Sequence, residues 1–245
     1  AILRLPADWS VFASYGKGFS LPNIGIPLRN INVPGQSVAG ILDLQAVIAD
    51  NKEVGFNWRG AHGSVGGSYY ESESDLGVSL AVDPLTGDYI MLRQPVHIKG
   101  YEFNGAINLS ENWRANAIYS HVEGKTATTT GGPLNREMGV SDLNPDKLAG
   151  SFTWSFLPNA ELTLGATRLF SRDVNQGTSA AESTRGYTLY DLAVNYDTGR
   201  FGKLALGVEN VADKFYILSY SQVGGQDNYM SGRGRVISLT HSVKF

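Results

Sequence analysis

From Lys147 to Phe156 the chain reads KLAGSFTWSF, with Leu148, Phe152, Trp154 and Phe156 on one parity and Lys147, Ser151, Thr153 and Ser155 on the other. Successive side chains of a strand point to opposite faces of a sheet, so this segment is a strand with one oily and one wet face. The pattern recurs. YEFNGAINL (101–109) sets Tyr101, Phe103, Ile107 and Leu109 against Glu102, Asn104 and Asn108. EVGFNWR (53–59) opposes Val54, Phe56 and Trp58 to Glu53, Asn57 and Arg59. YDLAVNYD (190–197) does the same with Tyr190, Leu192, Val194 and Tyr196, and VISLTHSVKF (236–245) closes the chain on an aromatic, Phe245. Roughly ten such strands follow one another with almost no helical periodicity. The fold class is all-β and antiparallel.

A soluble sandwich and a transmembrane β-barrel both present such strands, and the connections separate them. Short links fall near 60–63, 109–112, 157–160 and 197–202; long ones fall near 19–50, 124–144, 173–185 and 217–232. The strands near 64–82 and 88–108 exceed a membrane crossing and predict a projecting hairpin that turns at DPLTG. Tight turns gathered at one end and long loops at the other are the plan of a membrane barrel. The four tryptophans agree: Trp9, Trp58, Trp113 and Trp154 all fall at the short-turn end, on the aromatic parity. Indole concentrates at membrane–water boundaries, so these residues and Phe245 are candidates for one girdle of such a barrel.

Composition narrows the partners. The chain of 245 residues has no cysteine, which removes disulfides and thiolate metal sites. A formal charge of -3 and the lack of any basic cluster argue against nucleic acid. No run approaches the length of an apolar membrane helix. The opening AILRLPADW has neither a Met nor a signal-peptide pattern, and reads as the edge of something longer or as a mature protein.

Four motifs carry a family resemblance. FASYGKGFSLPNIG (12–25) resembles a rising strand of TonB-dependent outer-membrane receptors, and GYTLYDLAVNYD (186–197) resembles their antepenultimate strand. GVENVADKFY (207–216) is similar to their penultimate element and GRVISLTHSVKF (234–245) to their last strand. The middle of the chain is most like ferric-siderophore members, and the motifs occur in the family's order along essentially the whole length. The resemblance implies a barrel of 22 strands with an N-terminal plug, of which residues 1–245 would supply the C-terminal portion, without plug or TonB box. It implies TonB-dependent uptake of a ferric siderophore across the bacterial outer membrane. The implied partners are outer-membrane lipid, the TonB complex (through an N-terminal segment absent here), the siderophore and the barrel assembly machinery. No cofactor is implied; iron enters only as cargo. Phe245 would serve as the terminal aromatic that the assembly machinery reads.

Candidate chemistry is sparse. VEGKT (122–126) contains a phosphate-loop fragment, but the required glycine is replaced by Tyr119 and no helix follows. His62, His97, His121 and His241 show no metal spacing, and the last three share parity with the aromatics, away from a lumen. ESESD (71–75) reads as a solvated strand end. Arg29, Arg136, Arg185 and Arg233 in the long loops, with Tyr229, are the candidate ligand contacts, because guanidinium and ring faces suit flat anionic chelates. No residue is assigned a catalytic role. A self-contained omptin-like protease, a passive porin or adhesin, and a receptor for cobalamin or carbohydrate remain the alternatives.

Overall fold

The computed structural model describes residues 1–21, 25, 46–82, 89–128, 132–175, 182–223 and 229–243. Its strands are β1 (Ile2–Arg4), β2 (Trp9–Ser20), β3 (Val47–Gly60), β4 (Gly63–Val82), β5 (Tyr89–Asn108), β6 (Trp113–Thr126) and β7 (Arg136–Glu137). They continue with β8 (Lys147–Leu157), β9 (Ala160–Leu169), β10 (Arg172–Val174), β11 (Glu182–Thr184), β12 (Tyr187–Asp197), β13 (Lys203–Glu209) and β14 (Val236–Ser242). One antiparallel sheet runs β1-β2-β3-β4-β5-β6-β8-β9-β12-β13-β14, with β7 added to β6. β10 and β11 form a separate hairpin. β1 and β14 are the two edges of the sheet and do not pair with each other.

The sheet is a single layer, which sets where apolar groups go. With no second layer to cover them, apolar side chains of the aromatic face stay open: Leu239 is 73% and Phe103 46% exposed. Register places like against like across that face, as in Trp9 opposite Trp58 and Trp113 opposite Trp154. The opposite face is polar, with Asn116 donating to Ser151 (2.7 Å), Thr153 beside Thr163 (3.0 Å) and Arg114 on Glu161 (2.8 Å).

Short links join β3–β4 (61–62), β5–β6 (109–112), β8–β9 (158–159) and β12–β13 (198–202), all at one end. The long links 21–46, 127–146, 170–186 and 210–235 lie at the other. In the 198–202 turn Gly202 has φ +91° and Thr198 N–H donates to its carbonyl at 2.9 Å, a conformation that a side chain would strain. β4 and β5 form the predicted long hairpin; its DPLTG turn lies outside the described residues.

Most of the buried core among the described residues sits at the long-link end, although Ala160, beside the short 158–159 link, is buried as well. The segment 132–146 folds onto the polar side of β6, where Met138 N–H donates to Gly124 O at 2.8 Å. Gly124 permits that approach, since a Cβ there would lie 2.7 Å from Met138 Sδ. Thr126, fully buried, donates to Pro95 O at 2.8 Å. The GKT of VEGKT is therefore strand, and its glycine serves packing.

The GVENVADKFY element does not continue as strand; β13 stops at Glu209, because Asn210 and Asp213 take left-handed φ values of +49° and +50°. Asn210 makes that turn stable. Its side chain accepts from Lys214 N–H (2.9 Å) and donates to the carbonyls of Lys214 (2.9 Å) and Arg233 (3.2 Å). Asp191 accepts its backbone N–H at 2.8 Å. His241 keeps the aromatic parity read from the sequence, and its Nε2 lies 2.6 Å from Phe201 O, tying β14 to the β12–β13 turn. Among the described residues no helix is long and apolar enough to cross a membrane, which says nothing of strands.

Asn210→Ala strips a buried left-handed position of its hydrogen bonds. We expect the intact barrel to lose about 2–3 kcal/mol of stability, read as a lower urea midpoint in detergent micelles.

Candidate binding face at the long-loop end

The long links are tied to one another by a few polar side chains. Arg172, at the start of β10, donates to the carbonyls of Val122 (3.0 Å), Asn144 (3.0 Å) and Met138 (3.3 Å). It thus holds the 127–146 segment, the upper edge of β6 and the 170–186 segment together. Glu137 and Asn175 join the same two links through Glu137 N–H to Asn175 O (3.1 Å) and Asn175 N–H to Glu137 Oε2 (2.7 Å).

A second tie connects 170–186 with 210–235. The Gln222 amide accepts from Arg185 N–H (2.8 Å) and donates to Arg185 O (3.1 Å) and Ile217 O (3.0 Å). A side-chain amide thereby imitates a strand neighbour for Arg185. Around it Leu218 N–H donates to Met230 O (2.9 Å), and the buried Ser221 hydroxyl accepts from Met230 N–H at 2.9 Å. Tyr216 packs against Tyr187 with the rings tilted and their centroids 4.4 Å apart. What this fold-back leaves outside is apolar and aromatic: Tyr220, Tyr229 and Met230 are 50%, 44% and 54% exposed.

The residues expected from sequence separate accordingly. Arg185 is exposed and belongs, with Tyr229, to the two segments that Gln222 joins. Arg233 is exposed but sits at the foot of the last loop, its Nη2 2.6 Å from Glu209 Oε2. Arg136 is buried in β7 rather than displayed on a loop surface. Arg29 and Phe245 lie outside the described residues. Of the girdle candidates, Trp113 and Trp154 stack almost parallel at 5.1 Å, and Trp9 lies 6.3 Å from Trp58. Sequence reasoning missed Gln222, Arg172, Tyr220 and Met230. Nothing in their local pattern marks them, since each acts across a loop.

Of the histidines, His97 and His121 border one cleft, whereas His62 lies in the β3–β4 link and His241 on β14. His97 and His121 sit on the aromatic face, His121 stacked on Tyr101 at 4.8 Å with its Nδ1 2.8 Å from Asp146 Oδ1. Glu71, Glu73 and His97 bring ligand atoms within 4.8 Å of one another. Tyr69 already donates to Glu71 (2.7 Å) and Lys52 pairs with Glu73 (3.4 Å), so these carboxylates have protein partners. Beyond the apolar part of this face, hydrogen bonding to Lys99 holds the Glu123 carboxyl below the ordinary carboxylate range.

A family model, TonB-dependent receptor-like β-barrel, matches residues 2–211. The chain belongs to that family. Solved structures share the fold at low identity. The copper transporter OprC is 16% identical with a TM-score of 0.74, over 95% of this chain and 37% of its own. The FrpB iron transporter from Neisseria meningitidis is 18% identical with a TM-score of 0.71, over 97% and 37%. The ferric-catecholate import receptor Fiu from K12 E. coli is 18% identical with a TM-score of 0.65, over 97% and 33%. The chain thus spans about a third of the length of these barrel proteins.

Gln222→Ala removes the tie on Arg185 without touching a strand. The Arg185 amide should then exchange its hydrogen about tenfold faster, measured by hydrogen–deuterium exchange on the intact receptor.

Proposed function

We propose that this chain is the C-terminal wall of an outer-membrane receptor that takes up a ferric siderophore with energy from TonB. The observation that carries the reading is the family match combined with a one-layer sheet, apolar outside and polar inside, whose long loops all stand at one end. In this placement the aromatic face meets lipid and the polar face lines the lumen. Trp9, Trp58, Trp113 and Trp154, with Phe245, mark the periplasmic boundary. The long loops face outward, and the remaining strands and a plug domain complete the barrel at the edges formed by β1 and β14.

Cargo capture then falls to the loop surface that Gln222 organises. Arg185 supplies a cation and Tyr220, Tyr229 and Met230 supply apolar faces, a combination suited to an anionic metal chelate with flat ligand groups. Iron importers among the structural relatives support an iron cargo; the copper transporter makes copper the contrasting one. The chemistry is binding and translocation with no covalent change to the cargo. TonB acts through the plug, so the work of release lies outside these residues.

Growth of a deletion strain under iron starvation tests the cargo. Loss of growth on at least one ferric siderophore, with copper accumulation unchanged, is the expected result. Unchanged uptake of every ferric siderophore tested would overturn the iron assignment. In the intact receptor Arg185→Ala combined with Tyr229→Ala should weaken binding of the transported chelate about tenfold or more, by titration of the purified protein. Phe245→Asp should instead lower the amount inserted in the outer membrane and leave affinity per inserted molecule unchanged, by heat-modifiable electrophoresis and ligand titration of the same membranes.

A further inference from the structure

The chain has three methionines, Met91, Met138 and Met230, and no cysteine, so its oxidisable sulfur is thioether alone. The fold treats two of the three oppositely. Met138 is 3% exposed and packs its Sδ where a Cβ on Gly124 would meet it at 2.7 Å. Met230 is 54% exposed and shares the loop surface assigned to cargo with Tyr220 and Tyr229.

The backbone pins Met230 at that surface. Its N–H donates to Ser221 Oγ at 2.9 Å, and its carbonyl accepts from Leu218 N–H (2.9 Å) and from the Ser221 hydroxyl (3.4 Å). The next residues are held as well: Ser231 bridges to Ile217, and Gly232 N–H donates to Tyr216 O at 2.9 Å. With its main-chain groups engaged, Met230 keeps its thioether in solvent. The Tyr220 hydroxyl donates to the sulfur at 3.4 Å. A thioether is a weak acceptor, whereas a sulfoxide is polar.

We propose that Met230 is a modification site at which a peroxide switches the cargo surface off. The proposal rests on the uptake reading given above. A sulfur lone pair attacks one oxygen of hydrogen peroxide; the S–O bond forms, the O–O bond breaks, and the second oxygen leaves with both protons as water. Sulfur is oxidised by two electrons and the peroxide is reduced by two. The Tyr220 hydroxyl then has a sulfoxide oxygen to donate to, in place of a weakly accepting sulfur. A flexible apolar contact becomes a polar one bonded to its neighbouring ring, and the surface loses the face that suits flat ligand groups. Iron and peroxide together generate hydroxyl radical, so a port that loosens its hold on a ferric chelate as peroxide rises limits that pairing.

The intact receptor, purified in detergent, is treated with hydrogen peroxide, the excess is destroyed with catalase, and its peptides are weighed over time. Met230 should gain one oxygen at least about tenfold faster than Met138. The ferric siderophore whose use the deletion strain loses is titrated before and after treatment. We expect binding about tenfold weaker after oxidation, and recovery when the two methionine sulfoxide reductases, one for each sulfur epimer, are added. The affinity of Met230→Leu, whatever its starting value, should not respond to peroxide. Equal oxidation of Met230 and Met138, unchanged affinity of the fully oxidised wild type, or a loss in Met230→Leu equal to that of wild type overturns the proposal. Should that variant fail to insert, time courses on wild type decide: affinity must fall in step with sulfoxide at Met230, and a fall in step with Met91 instead overturns it. A deletion strain that loses no siderophore refutes the uptake reading, whereas selective oxidation of Met230 with affinity intact refutes only the switch.

Discussion

Everything in this molecule depends on lateral pairing of backbone groups in a single-layer sheet. A strand in such a sheet satisfies its N–H and C=O groups only through its neighbours, and away from the long-loop end neither face is covered by a second layer among the described residues. The faces must then suit their surroundings directly. One face here is a continuous run of Trp, Phe, Tyr, Leu and Val; the other carries Asn, Ser, Thr, Arg and Glu. Lipid outside and water inside satisfy both, and the same arrangement in water would leave a large apolar patch exposed.

That constraint also explains where the protein becomes specific. Along the spanning strands, side chains need only be apolar or polar by turns. At the long-loop end the chain leaves the sheet, and backbone groups lose their automatic partners. Arg172, Gln222 and Asn210 replace them, each reaching two or more main-chain groups across a loop. Most of the few buried residues, among them Thr126, Ala127, Met138 and Val140, gather at the same end. Loop structure of this kind can present an exposed patch such as Arg185, Tyr220 and Met230 in a fixed arrangement, which a free loop could not do without losing conformational entropy on binding.

The belt of charge above Tyr69, Tyr101 and Tyr119 illustrates a different use of alternation. Its residues keep the parity of the lipid face but change chemistry where the strands pass beyond the apolar band. Paired lysines and carboxylates on neighbouring strands, such as Lys99 with Glu123 and Lys52 with Glu73, make a surface that favours a polar, charged layer over acyl chains.

The sequence alone determined the strands, their two faces, the long β4–β5 hairpin and the end at which the loops gather. Each follows from period-2 alternation or from the spacing of turn residues, and both are local. It also showed that His97 and His121 turn away from the polar face, because parity is counted residue by residue. The tertiary structure alone decided which loop residues stand together. Arg136 looked like a displayed arginine and is buried; Val208-Glu209-Asn210 looked like strand and ends one, through a left-handed asparagine whose partners lie at Asp191, Lys214 and Arg233. Gln222 gave no local sign of its role, since its partner Arg185 is 37 residues away. The cleft between Lys99, Lys125 and Arg172 was likewise invisible, because it forms only when the hairpin begun by Arg172 folds over β5 and β6, which lie far from it in the chain. Alternation is written in neighbouring residues, whereas these contacts depend on how far loops reach.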